Sequence, residues 1–206
     1  MTRLYSEKQN HIGATIHEEF RLILLGLSLG MAFGTVAQAE LDLEACIGAW
    51  LFDEGKGNKA EDASGKDNHG KIDGAKWVKG KFGQALDFNG KGDFVEIPDS
   101  DSLTKDIEEI TILAWIKGNG YPATNHILRK IADADKQTIY MLRTQQDVLQ
   151  PMTATNVESY DLQGTTSLKP DEWYHTAMTY DGKKISAYLD GKLDGSIDAS
   201  GKILVS

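Results

Sequence analysis

Several groups of side chains in this sequence have types and spacings that could do chemistry. The densest run of carboxylates is Asp106-Ile107-Glu108-Glu109. A retaining glycosidase needs two carboxyl groups about 5 Å apart, but this run lies just before the strongest strand pattern and reads as a solvated loop. A second group is Asp62, Asp67 and Asn68, which share one glycine-containing loop. Hard oxygen ligands on such a loop suit calcium, with backbone carbonyls completing the shell. Equally, Asp62 and Asp67 are turn-formers whose side chains bond nearby amides. Neither the Asp87–Asp93 stretch nor Asp133-Ala134-Asp135 has the glycine and glutamate of an EF-hand loop. Trp77, Tyr121, Tyr140 and Tyr160 form the third group. Pyranose rings present apolar C–H patches, so an aromatic face with polar neighbours is a sugar platform; each ring is also a candidate for ordinary packing. Nucleophilic and zinc chemistry have less to build on. Cys46 lies in an apolar segment and reads as a small core residue, and there is no Gly-x-Ser-x-Gly elbow. His69, His126 and His175 are scattered rather than clustered as zinc requires. His175, beside Trp173, reads as structural, and His69 as a loop residue able to touch a ligand.

The elements that must position these groups read as strands. The chain has 21 glycines, 4 prolines and one cysteine in 206 residues, so tight turns are built from glycine and no intrachain disulfide exists. Asp73-Gly74, Asn89-Gly90, Asp181-Gly182, Asp190-Gly191 and Asp194-Gly195 are hairpin dipeptides, because Asn, Asp and Gly accept the positive φ of type I′ turns. Strands are predicted over Ile47–Phe52, Ala85–Phe88, Phe94–Ile97 and Ile110–Lys117. Two antiparallel pairs are predicted as well: Ile127–Ile131 with Thr138–Arg143, and Trp173–Tyr180 with Lys184–Leu189. Ile110–Lys117 is apolar on both faces, which predicts a central strand. Asp99–Asp106 could hold one short helical turn capped by Ser100 or Asp101. Many short strands with glycine turns give an all-β class: an antiparallel two-sheet jelly-roll sandwich. The net charge of -9 repels phosphate backbones, which argues against nucleic acid as a partner.

The first forty residues read as an address. Arg21 precedes an apolar run from Leu22 to Val36, and Ala37-Gln38-Ala39 follows as a small-x-small cleavage pattern. Residues 1–39 are therefore expected to be a signal peptide with a helical apolar stretch. The domain is expected to span 40–206, and the protein to be secreted, periplasmic or at the cell surface. Retention as an uncleaved membrane anchor is the alternative; after cleavage no stable span is expected.

The mature part resembles the laminin G-like jelly-roll domains, a bacterial secreted branch of the concanavalin A-like lectin/glucanase superfamily. The likeness is carried by Gly48-Ala49-Trp50-Leu51-Phe52-Asp53-Glu54-Gly55, by Asp62-Ala63-Ser64-Gly65 with Asn68-His69-Gly70, and by Gly80-Lys81-Phe82-Gly83-Gln84-Ala85-Leu86-Asp87-Phe88. It continues through Asp93-Phe94-Val95-Glu96-Ile97-Pro98, Ile110-Thr111-Ile112-Leu113-Ala114-Trp115-Ile116 and Glu172-Trp173-Tyr174-His175 to Ala187-Tyr188-Leu189-Asp190-Gly191-Lys192. The resemblance implies that Trp50, Trp115 and Trp173 sit in buried strands and that Asp62 falls at a loop acid associated with calcium. It also implies further closing strands beyond Ser206, whose absence would expose a sheet edge. The Glu-x-Asp-x-x-Glu strand motif of laminarinase-like enzymes does not occur. The expected function is a non-catalytic module binding carbohydrate or a glycosylated extracellular partner. The alternatives are an adhesion module with protein partners only and, third, a glycoside hydrolase using Glu108 or Glu109.

Overall fold

The computed structural model describes residues 2–7, 12–15, 43, 46–105, 107–121, 123–132 and 137–204. Apart from short 3-10 turns, every regular element among them is a strand. In chain order these are β1 (Thr2–Glu7), β2 (Ile12–Thr15), β3 (Lys59–Ala60), β4 (Gly70–Asp73), β5 (Lys76–Lys79), β6 (Gln84–Phe88), β7 (Lys91–Ile97) and β8 (Ile110–Gly118). There follow β9 (Asn125–Ile131), β10 (Thr138–Gln145), β11 (Val148–Leu149), β12 (Met152–Ala154), β13 (Ser159–Asp161), β14 (Trp173–Tyr180), β15 (Lys184–Leu189) and β16 (Lys192–Asp198). They form two antiparallel sheets. One runs β13-β12-β10-β9-β1-β7-β4-β3, with β11 added to β10; the other runs β16-β15-β14-β8-β2-β6-β5.

The second sheet follows from local pattern. In β8 the residues Ile110, Ile112, Ala114 and Ile116 are buried, while Thr111, Leu113, Trp115 and Lys117 are more open. That period of two turns one face to the core and the other to solvent. β14 lies beside it in full register, from Trp173↔Lys117 to Tyr180↔Ile110. β15 then returns through Asp181-Gly182, where Gly182 has a φ of 81°. Asp181 Oδ1 accepts the Lys183 and Lys184 amides at 2.9 and 2.7 Å, which fixes the turn. Between the sheets, Ile112, Ile116, Leu142, Met178 and Ile185 form one apolar cluster, and Trp50, Phe52, Leu86, Val95 and Ile97 a second.

Three expectations are corrected or placed elsewhere. Ile47–Phe52 is not a strand. Its backbone is held instead by the loop that follows: Ala49 N–H donates to Asp62 Oδ1 at 2.9 Å and Ala63 N–H to the Ala49 carbonyl at 2.7 Å. Trp50 and Phe52 are buried all the same, so an apolar pattern that looks like a strand here serves a docked extended segment. The signal-peptide helix, with its apolar run and cleavage pattern, lies outside the described residues. The described residues before it are strands, interior in both sheets: β1 lies between β7 and β9, and β2 between β6 and β8. The helical turn over Asp99–Asp106 is a 3-10 turn at Asp101–Leu103, preceded by Ser100 but with no side-chain cap bond.

Candidate functional site

The outward face of the second sheet gathers the most chemistry. On it Trp115 stands opposite His175 and Lys117 opposite Trp173, in the β8–β14 register. The His175 ring meets Trp115 at 5.3 Å between centroids. Phe82, from the turn between β5 and β6, meets the same indole edge-on at 5.6 Å and 78°. Lys81 Nζ sits 4.3 Å from the centre of Trp115, and Lys117 Nζ 5.6 Å from the centre of Trp173. Such ammonium–ring contacts are attractive through the ring quadrupole. The His175 amide donates to Asp190 Oδ1 at 2.9 Å. Burial against the neighbouring rings holds the His175 imidazole below its ordinary value, against the opposing pull of Asp190.

Beside this stack lies a cleft of about 300 Å³. Lys79, Asp87, Lys117, Asn119, Asp171 and Trp173 line it. Its floor is held from behind. The Gly118 amide donates to Tyr121 Oη at 2.7 Å, and the Asp171 amide to the Gly118 carbonyl at 2.7 Å. Asp171 has a φ of 60°, a left-handed backbone that costs a non-glycine residue energy and collects at functional sites. One half-buried indole with carboxylate acceptors, an amide and ammonium donors around it is what a sugar ring needs: an apolar face to stack on and convergent polar groups for its hydroxyls.

The four aromatic residues put forward from the sequence do not converge here. Tyr121 is fully buried, and Tyr140, 3% exposed, borders an apolar cleft near Trp50 and Leu103 rather than this one. Tyr121 Oη serves the Gly118 amide, and Tyr140 Oη donates to the Leu103 carbonyl at 3.2 Å. Burial raises both phenols, that of Tyr121 to about 12. Trp77 is half-buried against the second apolar cluster and donates its Nε1–H to the Gly57 carbonyl at 2.9 Å. Tyr160, on the first sheet, pairs its hydroxyl with Ser200 Oγ at 3.1 Å. Trp115 and Trp173, expected in the core, instead point outward. The signal lay in the alternation Thr111, Leu113, Trp115, Lys117, which ends on a lysine that must face water.

The calcium set is also differently occupied. Asp62 Oδ1 accepts the Ala49 and Ser64 amides, each at 2.9 Å. Its Oδ2 accepts Ser64 Oγ–H at 2.8 Å and the Asn68 amide at 3.0 Å. Burial opposes the charge, but these four donors hold the Asp62 carboxyl below the usual carboxylate range. Asn68 Oδ1 accepts from Ser100 Oγ, and its Nδ2 donates to the Ile47 carbonyl and Ser102 Oγ. Asp67 points to solvent, with its Oδ1 3.5 Å from His69 Nε2. Hydrogen-bond donors ring the carboxylate where a cation would need oxygen, so this set does not fit a calcium ion. Among the described residues no three His, Cys, Asp or Glu side chains converge on a metal position. The loop's chemistry is that of a clasp tying residues 47–49 to residues 62–68.

The remaining candidates are dispersed. Glu108 is exposed and pairs with Lys202. Glu109 and half-buried Cys46 border a separate apolar cleft of about 330 Å³ with Trp50, Ile110 and Leu113. His126 is buried on β9, far in sequence order from His69 and His175.

Comparison with known proteins places this architecture. The model of a family described as the concanavalin A-like lectin/glucanases superfamily, Laminin_G_3, matches residues 89–206. The chain is similar to the binding domain of Paraclostridial Mosquitocidal Protein 1, at 15% identity and a TM-score of 0.54 over 72% of this chain and 40% of that one. It is also similar to a candidate carbohydrate binding protein from Bacteroides ovatus, at 19% identity and a TM-score of 0.39 over 66% of this chain and 33% of that one. The chain thus spans two fifths or less of either solved structure, and the likeness to the mosquitocidal protein's binding domain is one of fold. No curated protein matches the sequence.

Proposed function

This chain belongs to the concanavalin A-like lectin/glucanases superfamily, and from that premise we propose that it is a non-catalytic module that binds carbohydrate in the cleft beside Trp173. The observation that carries the reading is the cleft itself: an outward indole flanked by Asp87, Asn119, Asp171 and Lys117 in a space of about 300 Å³. That is the size class of small-ligand sites. The two glutamates weighed as catalytic groups stand away from this cleft. Glu108 is engaged by Lys202, and Glu109 borders the apolar cleft rather than this one.

Titration of the full-length chain against a polysaccharide panel, by calorimetry and thermal shift, tests the reading. A ligand of the folded state at 100 times its Kd adds about 2.7 kcal/mol to stability. Trp173→Ala is expected to cut affinity at least roughly tenfold, about 1.4 kcal/mol, with no release of reducing ends by the parent protein. Equal binding by Trp173→Ala and the parent would overturn the assignment. A second reading, a protein-interaction module without a sugar site, is favoured by the apolar cleft bordered by Cys46, Trp50 and Ile110. It takes precedence if no polysaccharide moves the melting temperature.

A further inference from the structure

We infer that the polymer taken by the Trp173 face is an acidic polysaccharide, whose carboxylate or sulfate groups are held by Lys79, Lys81 and Lys117; this rests on the binding reading above. Two rings dominate the face, and both already carry an ammonium. Lys81 lies 4.3 Å over Trp115 and 5.5 Å from Phe82, and Lys117 lies 5.6 Å from Trp173. A neutral pyranose stacking on Trp115 would have to displace Lys81 and forfeit its attraction to the ring. A sugar that carries an anion meets the same ammonium as a partner, so the arrangement separates the two ligand classes at the point of contact.

The three lysines are exposed, and none makes an ion pair with another described residue. Some lysines elsewhere pair with carboxylates, as Lys59 does with Glu61 at 2.8 Å and Lys105 with Asp101 at 2.7 Å, and others such as Lys56 and Lys91 do not among the described residues; what sets Lys81 and Lys117 apart is that their ammonium groups lie against indole rings. In a chain of net charge -9, these lysines gather around one aromatic strip, so an anionic group arriving there meets ammonium groups already held against the rings. Asp87 and Asp171 share the cleft, so the face is not uniformly basic. It suits a polymer with one charge per sugar unit or fewer, whose free hydroxyls those carboxylates accept, and it disfavours a dense polyanion such as nucleic acid.

The experiment is calorimetry of the full-length chain with polygalacturonate, chondroitin sulfate and a neutral dextran, each at low and high NaCl, for the parent and for Lys81→Gln/Lys117→Gln. Binding of polygalacturonate or chondroitin sulfate is expected, with dextran silent. Affinity should fall several-fold as salt rises through the screening range, and roughly tenfold or more in the double variant, which should still melt cooperatively, within the few degrees that loss of the Lys81–Trp115 contact costs. Which of the two acidic polymers binds identifies carboxylate or sulfate as the recognised group. Dextran binding as tight as the acidic polymers, or acidic binding that ignores salt and both substitutions, overturns the acidic assignment and leaves the Trp173 site standing. Silence of every polymer on a cooperatively melting protein overturns both.

Discussion

Lys81 holds its ammonium 4.3 Å from the centre of the Trp115 ring while the edge of Phe82 meets that ring at 78°. The three side chains come from the β5–β6 turn and from β8, so the contact ties a turn to a central strand. A cation over an indole at an exposed site contributes about 0.5–1 kcal/mol. Lys81→Met keeps most of the stem and removes the charge. It is expected to destabilise the protein by about that amount in urea unfolding, whereas Lys91→Met, on an exposed strand end, should leave the midpoint unmoved. Equal midpoints for the two variants would show that the ring contact contributes nothing.

Asp62 is the clasp of the opposite loop. Its carboxylate accepts three backbone amides and the Ser64 hydroxyl, and it is 8% exposed. Asp62→Ala would leave the Ala49, Ser64 and Asn68 amides buried without acceptors. Hydrogen bonds to a charged group are each worth about 1.5–3 kcal/mol, and such losses are not additive. A fall of about 3–5 kcal/mol is expected in denaturant titration. Because donors already surround this carboxylate, the parent should melt at the same temperature in calcium and in EDTA. A rise with calcium would overturn the clasp reading.

The same protein should lose stability as pH falls below neutrality. Burial, and then the charges of Arg129 and Arg143, push the His126 imidazole down to about 4. The folded value lies below the unfolded value of about 6.5, so the unfolded chain binds the proton first. Stability is complete above pH 6.5 and is lost as pH falls toward 4, by up to roughly 3 kcal/mol. His175, also lowered, adds in the same direction. Asp62, held below the usual carboxylate range, contributes only at lower pH. Melting curves at half-unit steps check this: His126→Gln should flatten the pH 6.5–4 segment, and an unchanged slope in that variant would remove His126 as its source.

What was legible in the sequence is what short range decides. The hairpin Trp173–Tyr180 with Lys184–Leu189 has the predicted bounds, because alternation and an Asp-Gly turn are both local signals. Ile110–Lys117 was readable as central from the apolar residues on both its faces, and β14 and β2 do flank it, although its Trp115 face is the more open one. The misreadings needed long-range information. Ile47–Phe52 has a strand's composition, but its partner is an aspartate carboxylate thirteen residues away from Ala49 rather than a ladder. Tyr121 and Tyr140 look like surface rings until Gly118 and Leu103 supply partners for their hydroxyls inside the protein. Trp115 and Trp173 have core-like neighbours in sequence, and only the register of β8 against β14 sets them beside Lys117 and His175 on the open face.

The least legible feature is the place of β1 and β2. Thr2 pairs with Ile97 on β7 and with Lys130 on β9, and Ile12 pairs with Phe88 on β6 and with Gly118 on β8. No turn or alternation announces pairing across so many residues, since each strand contributes only a handful of backbone bonds to neighbours that are close in space alone. Yet each is interior, so losing both would divide each sheet and leave β7, β9, β6 and β8 with open edges. Processing after Ala39 would remove both strands. The chain beginning at residue 40 is therefore expected to melt well below the full-length chain, or without a cooperative transition. A loss of this kind is large against the ~5–15 kcal/mol that a domain commands. Open edges also pair between molecules, so the shorter chain should elute as dimers or larger species in size-exclusion chromatography. A monomeric shorter chain that melts with the full-length protein would mean that β6, β7, β8 and β9 hold the sandwich together without these strands.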